Sequence, residues 1–275
     1  MKTPVTPEAG KISALSTGAK PPRPSVVSCS LTFCWRAMLK IKHVPEQLFD
    51  VTALPIVFLL LFTYLFGGAL AGSTGEYLQF VLPGILVMTV TFITTNTGLG
   101  IHNDVKKGVF DRVRSLPIWQ PSFLVGALLG DTIRYTMAAA VLIVLGLILG
   151  FRPAAGTIEV FMSILLLLVF SFSLSWIWIA LGLVVRSPES FQSISWTVLF
   201  LLTFISNVFV LPETMPGWLQ SFVNVNPITH LVTAVRGFMS GEILMNAIGW
   251  VLITCVLLIA LFGSVTMHLY RGKRA

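Results

Sequence analysis

Six long apolar runs, separated by short polar segments, dominate the sequence. A helix needs roughly 20 apolar residues to cross a bilayer, and each run reaches or approaches that length. The predicted spans are residues 51–71, 79–101, 121–150, 158–184, 191–211 and 244–269. The third run is too long for a straight crossing, so it either tilts strongly or begins as an interfacial helix, with the span nearer 131–150. An even number of spans places both termini on one side of the membrane.

Two shorter patterned segments lie outside these runs. Residues 31–44 place apolar side chains at helical spacing beside basic ones, which predicts a basic helix in the membrane interface or a cytosolic helix packed on protein. Residues 212–243 are long and apolar for an outer loop, and prolines cut them into short pieces. They predict a helical hairpin that dips back into the membrane, or two helices lying flat on its outer surface. The helical stripe of this segment comprises Ile228, Leu231, Val232 and Val235.

Composition identifies a membrane protein rather than a soluble domain. The chain is 55% hydrophobic and only 11% charged, whereas an average soluble domain has roughly 25% charged residues. Its three cysteines form no CxxC pair and indicate neither a disulfide framework nor a zinc site. The predicted division is a disordered cytosolic tail over 1–28, one membrane domain over 29–270, and a basic cytosolic tail over 271–275.

The basic residues predict the orientation of the chain. Of its 18 lysines and arginines, Arg134 lies within a span and only Arg152 and Arg236 fall on the outer side if the N-terminus is cytosolic. Such a bias predicts a multi-pass membrane protein with both termini in the cytosol. The net charge of +7 is therefore an orientation signal and does not indicate nucleic-acid binding.

Polar residues inside the spans are the first candidates for function. Asp131 and Arg134 are spaced i,i+3 on one helix face, which predicts an intramembrane ion pair or, alternatively, contact with a substrate. Thr91, Thr95 and Asn96 give the second span a polar side, which fits a substrate route but also fits hydrogen bonds between helices.

Sequence motifs for catalysis are missing. The chain contains no GxxxxGK[ST] phosphate loop, no HExxH and no GxSxG, so no catalytic, cofactor-binding or metal site is predicted in it. An ATPase activity would have to come from another subunit. Three glycine pairs at i,i+4 spacing can let helices approach closely: Gly126 with Gly130, Gly146 with Gly150, and Gly237 with Gly241.

The loop over 103–118 has an unusual charge pattern. In a helix, Val109, Phe110 and Val113 would form an apolar face surrounded by acidic and basic side chains. An orientation signal explains the basic residues but not the apolar face with its two acids. A short amphipathic helix that docks a soluble partner explains both.

Four stretches resemble the permease subunit of ABC-2 type exporters, and most of all the daunorubicin-resistance permease subfamily. They are "LPGILVMTVTF" (82–92), "GLGIHNDVKKGVFDRVRSLPI" (98–118), "GDTIRYTMAAAVLIVLGLILGFRP" (130–153) and "LPETMPGWLQSFVNVNPITHLVTAVRG" (211–237). The resemblance extends over roughly 28–270. It implies an all-α, six-span subunit of the type V exporter class that forms a homodimer and binds two copies of a separate ATPase, which would hold ATP and Mg.

The resemblance also implies roles for particular residues. A coupling helix over 105–115 would contact the ATPase through Lys107, Val109, Phe110, Asp111, Arg112 and Arg114. The hairpin over 212–243 would form an outer gate with Trp218, Phe222 and Phe238. The implied function is ATP-driven export of a hydrophobic or amphipathic drug, antibiotic, peptide or lipid. The alternative is an ATP-independent carrier or a membrane anchor for another assembly.

Overall fold

Helices make up nearly all of the computed structural model, which describes residues 25–43, 46–114 and 121–272 and has no strand among them. In chain order the described α-helices are α1 (Val26–His43), α2 (Glu46–Leu61), α3 (Gly67–Ala71), α4 (Thr74–Lys106), α5 (Val109–Arg114), α6 (Ser122–Ile148), α7 (Thr157–Val184), α8 (Pro188–Phe204), α9 (Gly217–Val225), α10 (Pro227–Ser240), α11 (Met245–Leu258) and α12 (Ser264–Gly272). Two π-helical turns, Phe62–Phe66 and Ile259–Gly263, continue α2 into α3 and α11 into α12.

Among the described residues, four helical segments are long and apolar enough to cross a membrane. They are Thr74–Lys106, Ser122–Ile148, Thr157–Val184 and Met245–Tyr270. They confirm the second, third, fourth and sixth predicted spans. The first predicted span, 51–71, contains a shorter apolar helix over Ala53–Ala69.

The fifth predicted span, 191–211, is wrong at its end. The helix there is α8, which has 17 residues and ends at Phe204, and residues 205–211 turn and bend instead of continuing it. The apolar residues after Phe204 fold into the core, where Val208 and Phe209 are buried. Hydrophobicity alone therefore extended the helix past its real end, because a buried turn and a helix can be equally apolar.

Helix α4 forms the centre of the bundle. It packs along α7 and α6 and also contacts α2, α8 and α10. The largest apolar cluster surrounds it and draws residues from α6, α7, α10 and α11. By contrast, the α11–α12 segment leaves most of its apolar surface outside the bundle. A chain in lipid needs no polar coat, so this exposed apolar face is the surface expected to contact acyl chains.

Local signals set the helix starts and ends. The Ser73 hydroxyl accepts a hydrogen bond from the backbone N–H of Glu76 at 3.2 Å and so caps α4. The Ser187 hydroxyl caps α8 in the same way, with Pro188 at the first helical position. Gly108, at φ 67°, lies between α4 and α5 in the left-handed conformation that favours glycine.

The N-terminal helix α1 packs on the first half of α6. It begins at Val26, so the predicted start at residue 31 is too late and the predicted tail boundary at 28 lies within the helix. Gly126 and Gly130 make the close approach possible, because a Cβ at either position would collide with α1, at Phe33 and Ala37 respectively. The rest of the predicted tail, 1–24, lies outside the described residues.

The exposed side of α1 carries an apolar stripe. Val27, Leu31 and Trp35 are exposed at i,i+4 spacing. Helix α1 therefore combines the two sequence hypotheses, since one side packs on protein and the other presents apolar side chains as an interfacial helix does. Gly146 also lies close to another helix, since a Cβ there would collide with the Leu82 side chain of α4. Its pair member Gly150 has open space around it, and Gly237 faces the turn at Glu242.

Candidate functional site

A polar network joins α4, α6 and α7 inside the bundle. The Arg134 guanidinium donates to the Asp131 carboxylate at 2.9 Å, and both side chains are largely buried, with exposed fractions of 14% and 10%. The Thr97 hydroxyl donates to the other Asp131 oxygen at 2.7 Å. The i,i+3 spacing thus yields an ion pair whose carboxylate also binds a neighbouring helix.

Hydroxyl groups extend this network to α7. The Tyr135 hydroxyl lies 3.0 Å from the Thr97 hydroxyl and 3.0 Å from the Ser175 hydroxyl. One turn away, the Trp178 indole N–H donates to the Thr94 hydroxyl at 2.8 Å. These bonds satisfy polar groups that would otherwise be costly in a low-dielectric interior. Tyr135, Ser175 and Trp178 were not among the predicted site residues, since nothing in their spacing shows that they face α4.

A charged pocket of about 230 Å³ opens beside the ion pair, between α1, α4 and α6. Its apolar wall includes Phe33, Ile101 and Phe123. Its polar lining residues are Arg36, Asn96, Thr97, Asp104, Asp131 and Arg134. Two acids and two bases therefore meet in one cavity of a chain that is otherwise poor in charge.

An aromatic groove of about 650 Å³ lies between α2, α4 and α8. Phe58, Phe92, Trp196, Phe200 and Phe204 supply its rings. Thr89, Thr95, Asn96 and Gln192 supply its polar groups. The volume lies in the range of drug-binding pockets, about 300–1,000 Å³, and so does the mixture of many apolar and few polar groups.

The three predicted substrate-route residues separate in the structure. Thr95 and Asn96 line the groove, and Asn96 also lines the charged pocket. Among the described residues, the Asn96 amide has no hydrogen-bond partner, whereas the Thr95 hydroxyl donates to the Phe92 carbonyl at 2.8 Å. Thr91 is fully buried and lines neither cavity. The polar side of the second span is thus partly a cavity wall and partly a helix contact.

The predicted coupling segment contains the short helix α5. Lys107 and Arg112 are exposed, while Val109 is half-buried and Val113 is buried. Val113 packs in an inner apolar cluster with Ile101 and Phe123, so this side of the apolar face contacts the protein's own helices. Val113 is therefore part of the subunit's own core, whereas the contact of Val109 with a partner stays a prediction. The side chains of Phe110, Asp111 and Arg114 lie outside the described residues.

The C-terminal end of α4 is fixed to α7 next to this helix. The His102 Nδ1 atom lies 3.0 Å from the Gly182 carbonyl oxygen, and a Cβ at Gly98 would collide with the Trp178 backbone. Nearby, at the start of α8, hydrogen bonds from its own backbone N–H and the Ser187 hydroxyl hold the pKa of Glu189 below its usual range.

Asn226 holds the hairpin formed by α9 and α10. Its side-chain amide donates to the Leu202 carbonyl at 2.6 Å and also to the Ile205 carbonyl at the end of α8. Its side-chain oxygen accepts from the Ile228 N–H and caps α10. Asn226 therefore satisfies backbone groups at the end of α8 and at the start of α10. An asparagine directly before Pro227 is the helix-start signal that could have identified it.

The two hairpin helices differ in burial. The α10 stripe of Ile228, Leu231, Val232 and Val235 is fully buried against the bundle. Helix α9 presents Trp218 and Phe222 on the surface, with 68% and 65% exposed. The third predicted gate residue, Phe238, packs partly buried on the main core.

Arg236 sits where α8 ends. Its guanidinium donates to the Phe80 carbonyl at 3.1 and 3.2 Å and to the Asn207 carbonyl at 3.2 Å, and it lies 3.8 Å over the Phe80 ring. Its hydrogen bonds within the described part of the chain all go to carbonyl oxygens. In the sequence Arg236 counts only as a charge on the outer side. In the structure it links the non-helical segment 205–211 to α4.

Across the described ranges, no group of three or more His, Cys, Asp or Glu could hold a metal ion. The described helices, four of them long and apolar enough to cross a bilayer, define a helical membrane protein with a drug-sized groove.

Comparison with known proteins specifies the family. Residues 30–240 match the model of the ABC-2 type transporter family. The chain is 50% identical over 271 residues, covering 98% of this chain and 96% of the relative, to the daunorubicin resistance ABC transporter permease protein DrrB1 of Streptomyces coeruleorubidus. It is also 27% identical over 214 residues, 74% of this chain and 75% of the relative, to the probable doxorubicin resistance ABC transporter permease protein DrrC of Mycobacterium tuberculosis.

The chain therefore belongs to the ABC-2 type transporter family. It is a membrane-embedded permease subunit, and its partner is an ABC ATPase. The resemblance found in the sequence is confirmed.

Proposed function

We propose that this chain forms the six-span membrane half of an exporter that moves an amphipathic drug out of the cytosol. Two copies of the chain would form a homodimer with two ATPase subunits, which would bind ATP and Mg. The observation that carries this proposal is the aromatic groove of about 650 Å³. Relatives are named for resistance to daunorubicin and doxorubicin, which supports a drug as the cargo.

The groove has the chemistry that an amphipathic compound requires. Phe92 and Trp196 are in edge-to-face contact with ring centroids 5.2 Å apart, and they leave apolar faces for a planar ring system. The half-buried Asn96 amide has no partner among the described residues and can bind a polar substituent. Rings would supply affinity and the amide would supply orientation.

The proposed orientation places α5 and both termini in the cytosol of a bacterial plasma membrane. The positive-inside distribution supports it. Helices α2–α3 and α8, although shorter than the other four, would complete six crossings. The outer end would then carry the α9–α10 hairpin, whose buried α10 stripe supports a re-entrant position over a surface one. Trp218, Phe222 and Phe238 would meet the partner protomer at the exit.

Coupling would pass from α5 to α4. The side chains of Lys107 and Arg112 are exposed and would contact an ATPase, while Val113 fixes the helix to the bundle. Closure of the ATPase dimer would push α5. The contacts of His102 and Gly98 with α7 would carry that movement to the helices that line the groove. Asp111 and Arg114 stay part of this proposal on the basis of family resemblance.

The test compares two tryptophans with equal exposure, Trp196 in the groove and Trp250 on α11, each 51% exposed. With the permease and its ATPase reconstituted in vesicles, Trp196→Ala and Asn96→Ala should each raise the half-saturating daunorubicin concentration for ATP hydrolysis about tenfold, which corresponds to about 1.4 kcal/mol. Trp250→Ala should leave it unchanged. Equal effects at both tryptophans would show that the groove is not the drug site.

The alternative function is an ATP-independent carrier or a membrane anchor for another assembly. Drug transport that persists after loss of every ATPase able to bind the chain would favour it.

A further inference from the structure

The charged pocket between α1, α4 and α6 contains two charges that the polar network does not use. Asp131 is bonded to Arg134 and Thr97. Arg36 and Asp104 line the same pocket, and neither forms a hydrogen bond or ion pair within the part of the chain that the structure describes. One positive and one negative group therefore face a shared cavity without neutralising each other.

The wall of the pocket leaves room for a ligand at this position. Gly100 lines the cavity, and a Cβ added to it would meet no atom within 4 Å. Phe33, Ile101 and Phe123 form an apolar boundary. Asp104 is half-buried next to this boundary, so its charge is less screened than in bulk water, whereas Arg36 is exposed. A ligand that contacts both groups would satisfy the half-buried carboxylate.

The position of the pocket points to the membrane interface. Arg36 belongs to α1, whose exposed stripe of Val27, Leu31 and Trp35 has the character of a helix lying at the lipid surface. A guanidinium at this level meets phosphate groups, which it binds through paired hydrogen bonds. A carboxylate on the facing wall complements an ammonium group.

We propose that this pocket binds the headgroup of a membrane phospholipid that carries both an ammonium and a phosphate, with Asp104 facing the ammonium and Arg36 the phosphate. The site is distinct from the aromatic groove, although Asn96 borders both. It rests on the proposed orientation, in which the N-terminal helix α1 would lie at the cytosolic surface of the membrane, but does not require drug transport or the ATPase.

The experiment measures lipids retained by the purified full-length permease. The protein is equilibrated with equal amounts of phosphatidylethanolamine and phosphatidylglycerol, and bound lipid is counted by native mass spectrometry. The wild type should retain phosphatidylethanolamine about fivefold over phosphatidylglycerol, as expected for about 1 kcal/mol of charge complementarity. Asp104→Asn should bring this ratio close to one, whereas Arg36→Gln should lower the retention of both lipids.

Two control variants test whether the lipid preference comes from the pocket or from charge anywhere on the surface. Glu189→Gln removes an exposed acid and Lys106→Gln removes an exposed base, and neither residue lines the pocket. Both should keep the wild-type ratio. Asp104→Asn keeps nearly the same side-chain shape, so the variant should fold. A monodisperse elution profile in gel filtration checks this.

Three results would overturn the proposal. One is a wild type without preference between the two lipids, and the second is an Asp104→Asn variant that keeps the preference. The third is displacement of phosphatidylethanolamine by daunorubicin at the concentrations that stimulate hydrolysis, which would assign the pocket to the transported compound. The proposed drug groove would survive the first two results, because the Trp196 test does not involve this pocket.

Discussion

Two enclosed arginines at different places in the bundle are neutralised in different ways. Arg134 has a carboxylate partner one turn away on its own helix, Asp131 at 2.9 Å. Arg236 instead binds the carbonyls of Phe80 and Asn207, which lie 156 and 29 residues away in sequence. The first arrangement joins three continuous helices, whereas the second supports a place where a helix stops.

The difference shows what each charge does for the fold. An ion pair in a low-dielectric region offsets the cost of burial but makes each partner depend on the other. The Arg236 guanidinium instead donates to the Asn207 carbonyl, which lies in the non-helical segment after α8, and to the Phe80 carbonyl of α4. Loss of Asp131 should therefore leave the enclosed Arg134 charge without its carboxylate, and loss of Arg236 should remove a donor from the Asn207 carbonyl.

The largest expected effect is that of Asp131→Ala. It leaves the Arg134 guanidinium enclosed without its carboxylate, and we expect a loss of about 3 kcal/mol in the free energy of unfolding, the scale for breaking a buried pair. The measurement is the stability of the purified permease in mild detergent. Asp131→Ala combined with Arg134→Met should recover more than half of the loss, and a double variant as unstable as the single one would contradict the account.

Arg236→Gln should have the second-largest effect. Its charged hydrogen bonds to carbonyls are each worth about 1.5–3 kcal/mol, and the shorter amide of glutamine replaces at most one, so we expect a loss of about 2 kcal/mol. Arg236→Lys should cost less but not be neutral, because an ammonium lacks the planar fork that reaches both carbonyls. Hydrogen exchange should accelerate at 205–211 in both variants. Unchanged protection at 205–211 would show that Arg236 does not stabilise this non-helical segment.

Tyr135→Phe tests the uncharged part of the inner network. The variant keeps the ring and removes only the hydroxyl between Thr97 and Ser175, so we expect a loss of about 1 kcal/mol. Tyr64→Phe is the matched control, since Tyr64 is 64% exposed. If both variants are equally stable, the hydroxyl chain between α4 and α7 contributes nothing to the fold.

The sequence predicted the helices better than their contacts. The apolar run at 158–184 matches α7 within one residue, because a continuous span needs only length and composition. Asp131 and Arg134 were found because their spacing is local. Asn226 and Arg236 were missed as site residues because their partners are brought together only by the packed fold. The run at 191–211 failed because hydrophobicity does not distinguish a buried bend from a helix.

The smallest expected effect on stability is that of Arg112→Ala, and it tests the coupling proposal. Arg112 is exposed on α5, so its loss should change the free energy of unfolding by no more than about 0.5 kcal/mol. Co-purification of the ATPase at matched permease levels should nevertheless fall. Val113→Ala should instead lower the free energy of unfolding and leave ATPase co-purification unchanged, since this side chain is buried in the subunit's own core. Normal ATPase binding by Arg112→Ala would remove this residue from the contact.

Drug uptake by inside-out membrane vesicles tests the exporter most directly. Vesicles containing the permease and its ATPase are supplied with daunorubicin and either ATP or a non-hydrolysable analogue. The account predicts uptake only when the permease, the ATPase and hydrolysable ATP are all present, and a marked loss of uptake in Trp196→Ala but not in Trp250→Ala. Uptake of equal rate in vesicles that contain the permease without the ATPase would contradict it.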